Sequence, residues 1–160
     1  MSDQAFPPAD PASFLALCAG EWMSLRSSFA LSNGDDDWHT SERGELTVRF
    51  ESGSGELLGR LLVETPGGSG RSLSFVDGGE LTLDEQSRGE WHFWPDGSVE
   101  LHLPQPDGSL VQERIWFTRA NLRLRSTTAV DAGGNPLECS FCTDIRPSDN
   151  NGPVVAFSNV

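Results

Sequence analysis

The sequence predicts an all-β protein, an up-and-down antiparallel β-barrel of about ten strands with a short N-terminal helix. Two observations carry this. Ten short β-patterned runs follow one another from residue 21 to 146, separated by turn chemistry at Asn33-Gly34, Asp77-Gly78-Gly79, Pro95-Asp96-Gly97, Pro106-Asp107-Gly108 and Gly133-Gly134-Asn135. Runs such as ELTVRF (45–50) and SVELHL (98–103) alternate apolar and polar residues, the mark of antiparallel sheet with one buried face. So many strands on short connections favour closure, which removes exposed edges. A two-sheet sandwich is the alternative.

Residues 1–9, with Pro7 and Pro8, read as a disordered lead-in. Asp10 is placed to N-cap a helix with Pro11 at its first position. Phe14, Leu17 and Cys18 then share one helical face, and Gly20 serves as the C′ stop. Such a helix can plug or cover one mouth of the barrel. The strand runs fall at 21–31, 44–51, 57–64, 71–76, 80–84, 89–94, 98–103, 109–118, 121–130 and 137–146. Between the first two, Asp35-Asp36-Asp37 lacks the period and glycine of a calcium loop and reads as a solvated hairpin tip. PDGSVELHL and PDGSLVQER resemble each other as successive hairpins of a meander do. One barrel domain over 10–148 and a C-terminal tail over 149–160 complete the organisation.

Composition narrows the chemistry. A net charge of −13 argues against nucleic acid or an anionic membrane as partner, since both need basic patches. All 11 basic residues are arginine, so Schiff-base lysines, P-loop lysines and Ser–Lys dyads are excluded. The glycine clusters at 53/55/59 and 67/68/70 lack dinucleotide-binding spacing and read as loops. No secretory signal or membrane-length apolar run is visible, and three cysteines form no disulfide framework. A reducing cytoplasmic setting fits best.

Strand parity decides which side chains can cooperate. Glu113, Ile115 and Phe117 share a face, as do Arg123, Arg125 and Thr127, and the three-residue link at 118–120 pairs the two strands as a hairpin. Glu113 then lies near Arg123 and Arg125, beside aromatics, an arrangement suited to a large, flat, anionic ligand. Periodicity alone supports a blander arrangement, with Leu122 and Leu124 inward and the arginines exposed. Trp22 reads as core, and Trp91 and Trp94 as core and turn packing rather than a stacking surface. Cys139 and Cys142, three apart on a strand, point to opposite faces and cannot clamp one metal. His39, His92 and His102 are scattered, so no metal site is expected.

The residues E-R-x-W-F (113–117), N-L-R-L-R-S-T (121–127) and S-F-C-x-x-I-R (140–146) resemble the closing segments of the S/U-type (CpcS/CpeS-like) phycobiliprotein lyases, and AGEWMSLRSSFAL (19–31) is similar to that family's opening. The likeness is strong over the last third, clear at the start and thin between. A mid-barrel tryptophan of S-type members has no counterpart here; Leu61 or Leu62 stands at about its place. The resemblance implies a lipocalin-like barrel that binds a linear tetrapyrrole, phycocyanobilin or phycoerythrobilin, and attaches it by a thioether bond to a cysteine of a phycobiliprotein apo-subunit. It implies that Glu113 is catalytic, and that Arg123, Arg125 and Thr127, with Arg26 of the opening strand, bind the ligand. It thereby reverses the parity expected from periodicity. The phycobilin is bound as substrate, and no cofactor is implied. A homodimer, or a heterodimer with a related lyase, is compatible with it. The alternative is a non-catalytic bilin carrier or a U-type subunit active only with its partner.

Overall fold

The computed structural model describes residues 6–30, 39–68 and 70–147. One helix, α1 (Pro11–Cys18), precedes ten strands: β1 (Gly20–Ala30), β2 (His39–Ser52), β3 (Leu57–Glu64), β4 (Gly70–Val76), β5 (Glu80–Leu83), β6 (Ser87–Phe93), β7 (Val99–Pro104), β8 (Leu110–Arg119), β9 (Leu122–Val130) and β10 (Pro136–Ile145). Each strand pairs antiparallel with the next, and β10 pairs with β1 to close the barrel. The closed meander is the predicted fold, and the sandwich is excluded. The Asp35–Asp37 tip lies outside the described residues, as do residues 1–5 and the tail from 148.

The local chemistry explains the connections. Asp10 caps α1 by accepting the Ser13 amide at 2.8 Å, with Pro11 as the first helical residue. The two PDGS turns are built alike: Asp96 accepts the Ser98 amide and Asp107 the Ser109 amide, both at 2.9 Å. The helix ends on an extended Ala19, so Gly20 is not a left-handed stop but the first residue of β1. A Cβ there would come within 2.9 Å of the Arg146 guanidinium, which is why glycine fits. Phe14 and Cys18 are buried and Leu17 packs partly buried against the core, as expected; Leu15 is buried as well, because i and i+3 as well as i+4 share a face.

Helix α1 closes one end of the barrel. Phe14 packs edge-on against Phe117 and Phe93, with centroids 5.3 and 6.4 Å away. Trp22 lies beneath, donating from Nε1 to the Cys18 carbonyl at 2.9 Å. Arg146 stacks over Trp22 at 4.1 Å and donates to the carbonyls of Ala19 and Ala120, tying β10 to the helix end and the β8–β9 turn. Part of the expected lead-in joins this end: Pro8 is buried, and Pro7 sits against Gly97 in the β6–β7 turn. Prolines lose little backbone freedom on docking, which offsets the short contact they make. The core, including Leu61, Phe75, Leu81 and Val99, fills this half, and the other half stays open.

Candidate functional site

The open half holds a cavity of about 520 Å³, within the common range for ligand pockets. One wall is apolar, formed by Leu46, Val63, Leu73, Leu83, Leu101 and Leu103. The facing wall carries Ser24, Arg26, Glu113 and Arg125, from β1, β8 and β9. Around the barrel β1, β10, β9 and β8 are consecutive, so the charged groups form one continuous surface.

Inward arginines are the feature that makes this wall. Arg123 pairs in register with the core residue Phe117 and is 4% exposed, while Leu122 and Leu124 face outward and are only partly covered. Glu113 is directly opposite Thr127 in the β8–β9 ladder, and Thr127 Oγ1 donates to Glu113 Oε2 at 3.2 Å. Arg125 Nη1 stands 3.8 Å from Glu113 Oε1. The four residues expected on β8 and β9 therefore share the barrel interior. They do not all face the cavity: Arg123 is packed behind it, its guanidinium 4.9 Å over Trp22, and Thr127 reaches it through Glu113.

Asp144 organises this wall, and sequence reasoning missed it. Its carboxylate is completely buried on β10. It accepts from Arg123 Nε at 2.9 Å and from Arg125 through a two-pronged contact, Nε at 2.7 Å and Nη2 at 3.0 Å. Burial by itself raises its pKa, but the Arg125 hydrogen bond and the charges of Arg123 and Arg125 outweigh that and hold it below the ordinary carboxylate value. For Arg125, burial lowers the pKa, yet the Asp144 bond and the charges of Glu113 and Asp144 raise it, fixing the guanidinium as a cation. The only sequence signal was the polar set Ser140, Cys142 and Asp144 at alternate positions, which a surface strand would show equally well. Two buried arginines needing a counter-charge would have singled it out.

Arg26 differs in kind. It lines the cavity, and its one hydrogen bond among the described residues runs from Nε to the Cys142 sulfur at 3.2 Å. Cys142 is buried on the inner face, whereas Cys139 pairs with Phe29 on the other face, so the two thiols are separated by the sheet itself. Trp91 is an inner packing residue, with Nε1 donating to the Val76 carbonyl at 2.8 Å and its ring edge-on to Phe75.

Fold and wall together define a class of protein, a half-filled β-barrel with a cavity between a leucine wall and a wall of arginines and carboxylates. The family model described as CpeS-like protein matches residues 80–147, from β5 to β10, the segment that carries Glu113, Arg123, Arg125, Thr127 and Asp144. Chromophore lyase CpcS/CpeS 1 of Paulinella chromatophora is 40% identical over 141 residues, covering 88% of this chain and 90% of its own length. Chromophore lyase CpcS/CpeS 2 of Synechococcus sp. (strain JA-3-3Ab) is 26% identical over 156 residues, covering 93% of this chain and 74% of its own. The S-type phycobiliprotein lyase CPES of Guillardia theta shares the fold, with a TM-score of 0.60 at 19% identity over 86% of this chain and 92% of that one. The chain belongs to the CpcS/CpeS family of chromophore lyases, a family of enzymes, as its terminal segments foreshadowed.

Proposed function

We propose that this protein binds a phycobilin, phycocyanobilin or phycoerythrobilin, in the half-open cavity and attaches it to a cysteine of a phycobiliprotein subunit. The observation that carries this reading is the pairing of a leucine wall with a wall that presents Arg26, Arg125 and Glu113 to the same space. A linear tetrapyrrole is a flat conjugated ligand with propionates on its rim. Its faces match the leucines, and its carboxylates match guanidinium groups. Arg26 meets a ligand carboxylate, while Arg125 lines the cavity beside it with its fork held by Asp144, which Arg123 secures from behind.

Glu113 is the acid of the reaction. Thr127 and Arg125 hold it from two sides, its carboxyl aimed into the cavity. Within reach of the pyrrole nitrogens, it protonates the conjugated system as the client's thiol sulfur adds to the ethylidene carbon. The net change is addition of the thiol's S–H across the ethylidene double bond. The C–S bond forms, the ethylidene π electrons move into the ring system, and Glu113 takes up the proton the thiol gives up and passes it to the conjugated system. Glu113 thus begins and ends as a carboxylate, and nothing is oxidised. Most of the acceleration comes from holding a flexible ligand in one reactive orientation. The phycobilin is the substrate, so the step calls on no resident cofactor. A cytoplasmic setting suits it, since the client's thiol must remain reduced.

Visible absorption titration with each bilin, followed by addition of apo-subunits, tests the reading. A saturable red-shifted complex that yields an acid-stable fluorescent adduct supports a lyase. Binding without transfer points to a carrier or to a subunit awaiting a related partner, and no binding removes the pocket assignment. Glu113→Gln sharpens the test: affinity should stay within about threefold while transfer slows by about 10²-fold or more. Unchanged transfer in that variant would mean Glu113 is not the acid.

A further inference from the structure

The charge inventory of the polar wall formed by β1, β8, β9 and β10 is one cation short of what a dicarboxylate needs. Arg123 and Arg125 carry two positive charges, and Asp144 and Glu113, which contact them, carry two negative ones. Arg125 spends Nε and Nη2 on Asp144 and turns Nη1 toward Glu113, so it has no free fork to offer a ligand carboxylate. This leaves Arg26 as the charge in excess on that wall, enough for one propionate.

Resting on the phycobilin reading above, we propose that Arg71, at the mouth of the opposite wall, binds the second propionate. Arg71 shares the inward parity of Leu73 and Phe75 on β4 and lines the same cavity as Arg26 and Arg125. Its only ion pair among the described residues is a loose 3.9 Å contact with Asp84, and its side chain is 58% exposed. It can turn to a ligand without breaking a buried bond. An acid of the mouth reinforces the choice. Glu42 lines the cavity on β2, opposite Arg26 in the β1–β2 ladder, so a carboxylate leaving the Arg26 wall is repelled there and directed toward β4. Arg43 and Glu45 also reach the cavity rim, but they share the outward parity of the exposed Leu25 and their opposite charges offset each other. The site thereby selects a flat ligand bearing two anionic groups over one bearing a single group.

The test compares wild type, Arg71→Ala and Arg49→Ala, an outward arginine that controls for net charge. Each is titrated with a free bilin and with its dimethyl ester, at low and high salt. Wild type should bind the diacid more tightly than the ester, and Arg71→Ala should lose roughly tenfold for the diacid and little for the ester, the gap closing with salt. Arg49→Ala should behave as wild type. Equal diacid affinity in wild type and Arg71→Ala would overturn the assignment of Arg71 while leaving the bilin reading intact. Failure of wild type to bind either form would overturn both.

Discussion

At the scale of single residues, Asp144 shows how a buried charge can serve an open site. An arginine facing an apolar barrel interior pays desolvation whether or not a ligand is present, and a fixed carboxylate is what offsets it. Asp144 does this for two arginines at once and sets the angle at which Arg125 meets Glu113. Replacing it with asparagine leaves two nearly buried cations without their counter-charge. We expect Asp144→Asn to cost about 3–5 kcal/mol of stability, or roughly 10 °C in melting temperature for a chain of this size. Thermal and urea melts measure it. A second change, Arg123→Met, should recover part of the loss in the double variant, since it removes one of the stranded charges. Strict additivity of the two losses would show that the pair acts separately.

At the scale of elements, the strands that build the polar wall invert the usual rule, and this decides what the sequence could reveal. On β3, β4 and β7, alternation reads correctly, because Leu61, Phe75, Val99 and Leu101 point inward as hydrophobic residues should. On β9 and β10 the arginines, Ser140, Cys142 and Asp144 take the inside, while Leu124 and Phe141 take the outside. Periodicity assigns those faces the wrong way round; only the likeness of E-R-x-W-F and N-L-R-L-R to known lyases turned them. The turns and the helix cap were legible for a different reason, since Asp10, Asp96 and Asp107 act on amides two or three residues away. Asp144 depends on partners 19 and 21 residues off, which no local pattern encodes. The helix makes its own prediction at this scale. Phe14 is the plug against Phe93 and Phe117 and is 1% exposed, so Phe14→Ala should cost about 3–5 kcal/mol. The loss lies at the closed end, away from the cavity, so bilin affinity measured well below the melting temperature should stay near wild type. A parallel collapse of affinity would show that the plug also shapes the cavity.

At the scale of the whole molecule, two acid responses oppose each other. The chain carries −13 near neutrality and has a pI of about 4.4, so acidification from pH 7 first relieves self-repulsion. Below that, protonation works against the fold. Asp144 has a lowered pKa in the folded protein, and so do Asp10, Asp96, Asp107 and Asp131, each held down by hydrogen bonds to nearby groups. In the unfolded chain an aspartate titrates near 3.9. The stabilisation from a depressed folded pKa is complete above that value and is lost as pH falls through the lower folded one, because the unfolded state takes up protons first. Melting temperature should therefore hold or rise slightly from pH 7 to about 5, then fall steeply below about pH 4. Asp144 supplies a large share of that acid limb, since its carboxylate is buried and the other four lie at exposed caps and turns. The limb should accordingly be shallower in Asp144→Asn, whose starting stability is lower but whose buried pair no longer titrates. An equally steep fall in that variant would assign acid sensitivity to the surface turns. A shallower one would show that the carboxylate behind the arginines couples the stability of the barrel to the charge of its cavity wall.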